Sequence, residues 1–266
     1  MKKEKCQNVL LFSLVFQWKI RNFAVEKETI MRQLLQLLSV MFCIGAWAAD
    51  ADTLKTVCYC FNEPLGSEWT YVHEPVRENY VTRDGLLRLY GSATSFKDDV
   101  QPTFAALSPT VLGGFPAESA DSVDYTMTMK IVHSDLLDGD EVGLAVYQAP
   151  MGYAQCCLHN LRGDRRIRVR LLLKNLSFMI SDRSVGVPSE IWIRLEARNG
   201  MYRFSYSTNG QRYVALESVD RSLLRPVVVG QGNGILVGPY SFVGSPKLQA
   251  GRSFGDIDEL EITYWK

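Results

Sequence analysis

The sequence predicts an all-β protein of two antiparallel sheets packed face to face. Beyond residue 50, short runs of alternating apolar and polar residues recur between clusters of Gly, Pro, Asn and Asp. No stretch there holds a helical period long enough for a packed helix. A parallel sheet needs helices to cover it, so many strands without helices bury their apolar faces by pairing two sheets.

The alternation places strands at Gly85–Tyr90, Ser122–Val132, Glu141–Gln148, Arg165–Lys174, Ile191–Arg198, Tyr202–Ser207, Arg212–Val219, Ile235–Tyr240 and Ile257–Tyr264. Along Glu141–Gln148, Val142, Leu144 and Val146 share one face, and Gly143, Ala145 and Tyr147 share the other. Two small residues beside a tyrosine leave room there for a groove. Arg166, Arg168 and Arg170 line one face of the next strand, as a solvated row or one that meets sugar hydroxyls or uronate carboxylates. Trp192, Arg194 and Glu196 alternate away from Ile191, Ile193 and Leu195, whereas Tyr202, Phe204 and Tyr206 share one parity and read as core. The clearest hairpin turns at Asn209-Gly210, a pair that tolerates positive φ. Gly230-Gln231-Gly232-Asn233-Gly234 lacks the following helix of a dinucleotide loop and reads as a turn.

Lys+Arg and Asp+Glu each total 29, so the chain has no net charge and lacks the positive field expected of a nucleic-acid binder. Residues 1–48 read as an export segment. Val9–Trp18 and Leu34–Ala48 are apolar runs behind basic residues, and Ala46-Trp47-Ala48 has the small-residue spacing of a signal cleavage site. Met31 is the expected true start, and residues 49–266 the expected single domain, secreted or at the cell surface. Both runs fall short of the roughly 20 residues that span a bilayer. Cys58, Cys60, Cys156 and Cys157 fall in two close pairs. They read as small buried residues or as a disulfide between pairs, their spacing being too tight for zinc.

Several motifs follow one another in order. They are Phe61-Asn62-Glu63-Pro64-Leu65-Gly66 with Trp69 and Pro75, then Gly85-Leu86-Leu87-Arg88-Leu89-Tyr90-Gly91, then Val142-Gly143-Leu144-Ala145-Val146-Tyr147. Trp192-Ile193-Arg194-Leu195, the Tyr202–Ser207 hairpin with Asn209-Gly210, and Ile257-Asp258-Glu259-Leu260 complete the series. This order resembles the carboxy-terminal, concanavalin A-like β-sandwich (a jelly roll) of glycoside hydrolase family 43 β-xylosidases, from about Phe61 to Tyr264. In that family the catalytic carboxylates belong to a separate propeller, so none maps onto this sandwich. The resemblance therefore implies a non-catalytic module that binds carbohydrate, of xylan or arabinan type, or a partner glycosidase. A hydrolase working through carboxylates of the last strand and a structural surface or adhesion domain are the alternatives.

Candidate residues follow from this reading. Sugar rings stack on aromatic planes while polar groups take their hydroxyls, which selects Tyr147, Tyr153, Trp192 and Arg194. The last strand, Asp256-Ile257-Asp258-Glu259-Leu260-Glu261, resembles the "E-x-D-x-x-E" signature of family 16 β-glucanases. A bulge that returned Glu261 to the face of Asp256 and Asp258 would make these three the catalytic set of a hydrolase. No cofactor is expected beyond a structural calcium, for which Glu63 and Asp258 are the candidate pair. Asp135, Asp138, Asp140 and Glu141 read as a solvated acidic turn.

Overall fold

The computed structural model describes residues 53–71, 79–98, 102–115, 122–230, 234–245, 247 and 251–266. The export segment, Pro75 and the middle of the Gly230–Gly234 stretch lie outside these residues.

Two antiparallel sheets pack against each other. The first has eight strands: β1 (Thr53–Tyr59), β3 (Tyr80–Arg83), β4 (Leu86–Tyr90), β6 (Tyr125–Asp135), β11 (Ile191–Arg198), β12 (Met201–Ser207), β13 (Val214–Asp220) and β15 (Phe254–Trp265). The second has seven: β2 (Thr70–Tyr71), β5 (Thr103–Ala106), β7 (Glu141–Ala149), β8 (Gly152–Leu161), β9 (Asp164–Leu173), β10 (Leu176–Ser184) and β14 (Leu236–Phe242). The spatial order is β13-β12-β11-β6-β15-β4-β3 in the first sheet, with β1 also on β15, and β10-β9-β8-β7-β14-β5-β2 in the second. Among the described residues the helices are short: α1 (Pro109–Gly113), a 3-10 turn at Arg221–Leu224 and α2 (Pro226–Val229). Among the described residues, no helix is long and apolar enough to cross a membrane.

Each strand expected from alternation is present, with ends moved by a few residues. Three strands of full length were not anticipated: β1, β8 and β10. The β8 stretch Tyr153-Ala154-Gln155-Cys156-Cys157-Leu158-His159 is buried on both faces, so it never alternates in polarity. Tight turns set the registers. Asp84-Gly85, Arg162-Gly163 and Asn199-Gly200 each join two strands through two residues of positive φ, the conformation whose twist matches that of the flanking strands. At Asn209-Gly210 only the glycine takes positive φ. The Asn209 Oδ1 instead accepts the backbone N–H groups of Gln211 and Arg212, each at 3.0 Å, an Asx turn in a longer loop.

The inter-sheet core is the inward parity of both sheets. Met127, Met129, Ile131, Ile193, Leu195, Leu260 and Ile262 come from the first, and Val142, Leu144, Val146, Cys156, Ile167 and Val169 from the second. Each such large aliphatic side chain contributes roughly 1.5–3 kcal/mol through burial. Tyr202 and Phe204 join this core, and Tyr206 packs against it half-buried. Among the described residues no cysteine forms a disulfide; Cys156 and Cys157 are buried, and Cys58 and Cys60 lie at the surface.

Candidate functional site

Strand alternation that fills the core also fixes what each sheet shows on its outer side, and the two outer sides differ. On the first sheet, Trp192 lies opposite Lys130, which lies opposite Glu259. One rung along, Arg194, Thr128, Glu261 and Cys58 form the parallel row. Arg194 stacks over the Tyr213 ring, 3.5 Å from its centroid, and its Nε donates to Thr128 Oγ1 at 3.2 Å. Lys130 Nζ sits 5.5 Å from the centre of the Trp192 ring and donates to Asp258 Oδ2 at 2.9 Å. Trp192, Arg194 and Tyr213 stay half-exposed, giving an aromatic and cationic platform that the Asn209-Gly210 turn flanks, a Cβ on Gly210 standing 3.1 Å from the Trp192 ring.

Beside it, ligating atoms of Cys58, Glu259 and Glu261 lie within 4.8 Å of one another. Burial, then Glu261, raises the Glu259 carboxyl. Burial, then Glu261 and Glu259, pushes the Cys58 thiol up to about 11. The thiol donates to Glu261 Oε2 at 3.8 Å. Calcium wants oxygen throughout, and a soft cation would need the thiolate, which these carboxylates and burial disfavour.

On the second sheet the outward residues are covered. The connection after β4 folds over them and drops Phe96 into a ring of Phe104, Tyr147, Tyr153, Tyr240 and Phe242, with centroids 4.8–5.8 Å away. Phe96 is 0% exposed. Next to this cluster Glu141, 3% exposed, accepts from Gln155 Nε2 at 2.7 Å and from the Tyr240 hydroxyl at 3.1 Å, and pairs with Arg170. Burial opposes the Arg170 charge, but Glu141 more than offsets it and holds the guanidinium protonated. Burial, then Glu141, drives the Cys157 thiol well above its usual range.

The residues expected for sugar binding therefore divide. Trp192 and Arg194 share the open face. Tyr147 and Tyr153 lie on the opposite side of the sandwich beneath the Phe96 loop, and their hydroxyls are pushed up to about 12 by burial. The groove expected at Gly143 and Ala145 is absent. A Cβ on Gly143 would stand 2.1 Å from the Cys156 carbonyl, so the glycine serves close strand approach, and Phe96 packs over Ala145. The acidic turn is also not solvated throughout. Asp140 is fully buried, its carboxylate accepting the backbone N–H groups of Leu137 at 3.0 Å and Gly244 at 2.8 Å. Arg166 and Arg168 are held by Asp182 at 2.6 and 3.2 Å, so the arginine row is an ion-pair ladder.

In the last strand the expected bulge is present between Ile257 and Glu259, and it carries Asp256, Asp258 and Glu261 to the outer side. Their environments diverge. Asp256, 3% exposed, is clasped by Arg88 through two bonds of 2.7 and 2.8 Å. Asp258 is paired with Lys130, and Glu261 stands with Cys58 and Glu259. Glu63, on the exposed connection after β1, is not part of that group. Sequence reasoning missed Lys130, Tyr213, Cys58 and Glu259 as one surface. Their adjacency depends on registers between strands far apart in sequence, though the Cys58 and Glu259 parities were readable.

A family model described as the beta xylosidase C-terminal concanavalin A-like domain matches residues 58–258. Among solved structures, a GH43 protein of Bacillus licheniformis has a TM-score of 0.66 at 19% identity, over 78% of this chain and 39% of that one. The xyloglucan PUL GH43B protein of Bacteroides ovatus gives 0.65 at 20% identity, over 79% and 39%. A xylan beta-1,4-xylosidase of Bacillus halodurans gives 0.64 at 12% identity, over 77% and 38%. At these identities the likeness concerns the fold. The chain spans about two-fifths of the length of these neighbours.

Proposed function

The chain belongs to the β-xylosidase C-terminal concanavalin A-like domain family, and we propose that it acts as an exported, non-catalytic module that binds a xylan- or arabinan-type polysaccharide. The observation that carries the reading is the half-exposed platform of Trp192 and of Arg194 stacked on Tyr213. A half-exposed indole offers its face to the C–H side of a sugar ring, and the flanking guanidinium and ammonium meet hydroxyls. The bidentate hold of Arg88 on a buried Asp256 supports a structural role for that carboxylate. Insoluble xylan, arabinan and β-glucan should retain the full chain, and Trp192→Ala should weaken retention roughly tenfold. Wild-type protein that passes through all three would sink the reading and leave a partner glycosidase or a structural role.

A hydrolase reading is favoured by one observation, the closeness of the Glu259 and Glu261 carboxyls, which have oxygens within 4.8 Å of each other. Two carboxyls close together are what acid and nucleophile roles require. Release of reducing sugar from any of these polymers, abolished in Glu261→Gln, would establish it.

A further inference from the structure

We propose that the cleft between the two sheets at the start of β9 binds a sugar acid, a uronate in chemical class, with Arg165 holding its carboxylate. The site is separate from the Trp192 platform and stands independently of the polysaccharide reading.

Arg165 shares its side of β9 with Ile167, Val169 and Leu171, all buried between the sheets. An arginine at that position points a cation toward the core side, where burial without a partner is costly. Its neighbours are compensated: Arg166 by Asp164 and Asp182, Arg168 by Asp182, Arg170 by Glu141. Among the described residues Arg165 has no carboxylate within ion-pair distance. Among the described residues its one side-chain hydrogen bond is Nη1 to the Leu136 carbonyl at 3.2 Å, which leaves most of its five N–H donors unspent. Burial lowers its hold on its proton, and Asp135 and Asp140 restore part of it. Asp140 has its own backbone donors.

Arg165 lines a cavity of about 250 Å³ whose walls come from both sheets and from the connection between β10 and β11. Ile131, Leu158 and Ile191 make it apolar. Ser134, Ser189 and Glu190 add hydroxyl and carboxylate oxygens, with Glu190 also bound to Lys130 at 3.2 Å. An apolar wall with a few placed polar groups is the usual composition of a small-ligand site, and the volume suits one sugar residue better than a chain. The planar guanidinium matches a carboxylate through two parallel hydrogen bonds. Apolar side chains take the ring's C–H face, and the serines and Glu190 meet its hydroxyls.

The test is calorimetry and saturation-transfer NMR on the full chain with glucuronate, xylose and acetate. Glucuronate should bind at least about tenfold tighter than either control, and Arg165→Gln should remove that advantage. Because the variant relieves an uncompensated charge, its melting temperature should be no lower than that of the wild type, which separates a binding role from a structural one. Ser189→Phe, which fills the cleft from the loop side, should abolish glucuronate binding and leave xylan retention intact. Equal binding of glucuronate and xylose, or wild-type affinity in Arg165→Gln, would overturn the proposal. Acetate bound as tightly as glucuronate would overturn the sugar-acid assignment. Loss of xylan retention in Trp192→Ala with glucuronate binding unchanged would show that the two sites are distinct.

Discussion

The outer faces of the two sheets are built by the same alternation and reach opposite ends. On the first, Trp192, Arg194, Lys130 and Glu261 project from strands whose other residues are core, and they remain at least partly exposed. On the second, Tyr147, Tyr153, Tyr240 and Phe242 project in the same way and become a second core, because Phe96 arrives from a distant loop to cover them. Alternation assigns a side chain to a face. Whether that face meets water is decided by chain that is not part of the strand.

Four substitutions and one titration test this contrast. The largest effect is expected for Phe96→Ala. Emptying the centre of five aromatic rings should cost about 4 kcal/mol in denaturant unfolding and leave the Trp192 platform unaltered. A loss under about 1 kcal/mol would mean that the second face is only loosely covered. Glu141→Gln leaves Arg170 without its charge partner and should cost about 3 kcal/mol, measured in the same way. Asp256→Asn, which breaks the clasp from Arg88, should cost about 2 kcal/mol.

The titration concerns His159, buried on the covered face. Burial, then Arg168, holds its imidazole below the ordinary range. Above about pH 6.5 the group is neutral in folded and unfolded chains alike. As the pH falls, the unfolded chain takes up the proton first, so stability is lost on acidification. Melting temperatures recorded from about pH 7 to 5 should fall less steeply in His159→Gln than in the wild type. The smallest effect is reserved for the open face: Trp192→Ala should change stability by under about 1 kcal/mol while polysaccharide retention drops. A large stability loss there would show that Trp192 is core, packed under the Gly210 turn whose added Cβ would lie 3.1 Å from its ring.

Much of the fold was readable because strands with one wet face alternate. The runs at β6, β11 and β12 were found with the correct inward parity for Met127, Ile193 and Phe204. β8 was missed because both its faces are dry, and β10 because it is an edge strand whose apolar residues Leu176, Phe178 and Met179 are exposed on both of its sides. The site was half readable. Trp192 and Arg194 were placed together, since they are two residues apart on one strand. Tyr147 and Tyr153, selected by the same aromatic criterion, lie beneath the Phe96 loop of the other sheet, since nothing local distinguishes one sheet's outer side from the other's. Asp140 and Glu141 resembled a wet turn because the groups that let them be buried, Gly244 and Arg170, are remote in sequence.

By itself, then, the sequence determined the all-β class, most strands, the inward residues of each and the family. These follow from periodicities and short motifs within reach of a single strand. The tertiary structure alone decided which outer face stays open, which carboxylates are clasped, and that an inward arginine stands at a cleft between the sheets. Those outcomes depend on register and on loops that pack across the sandwich, where contacts join residues many positions apart.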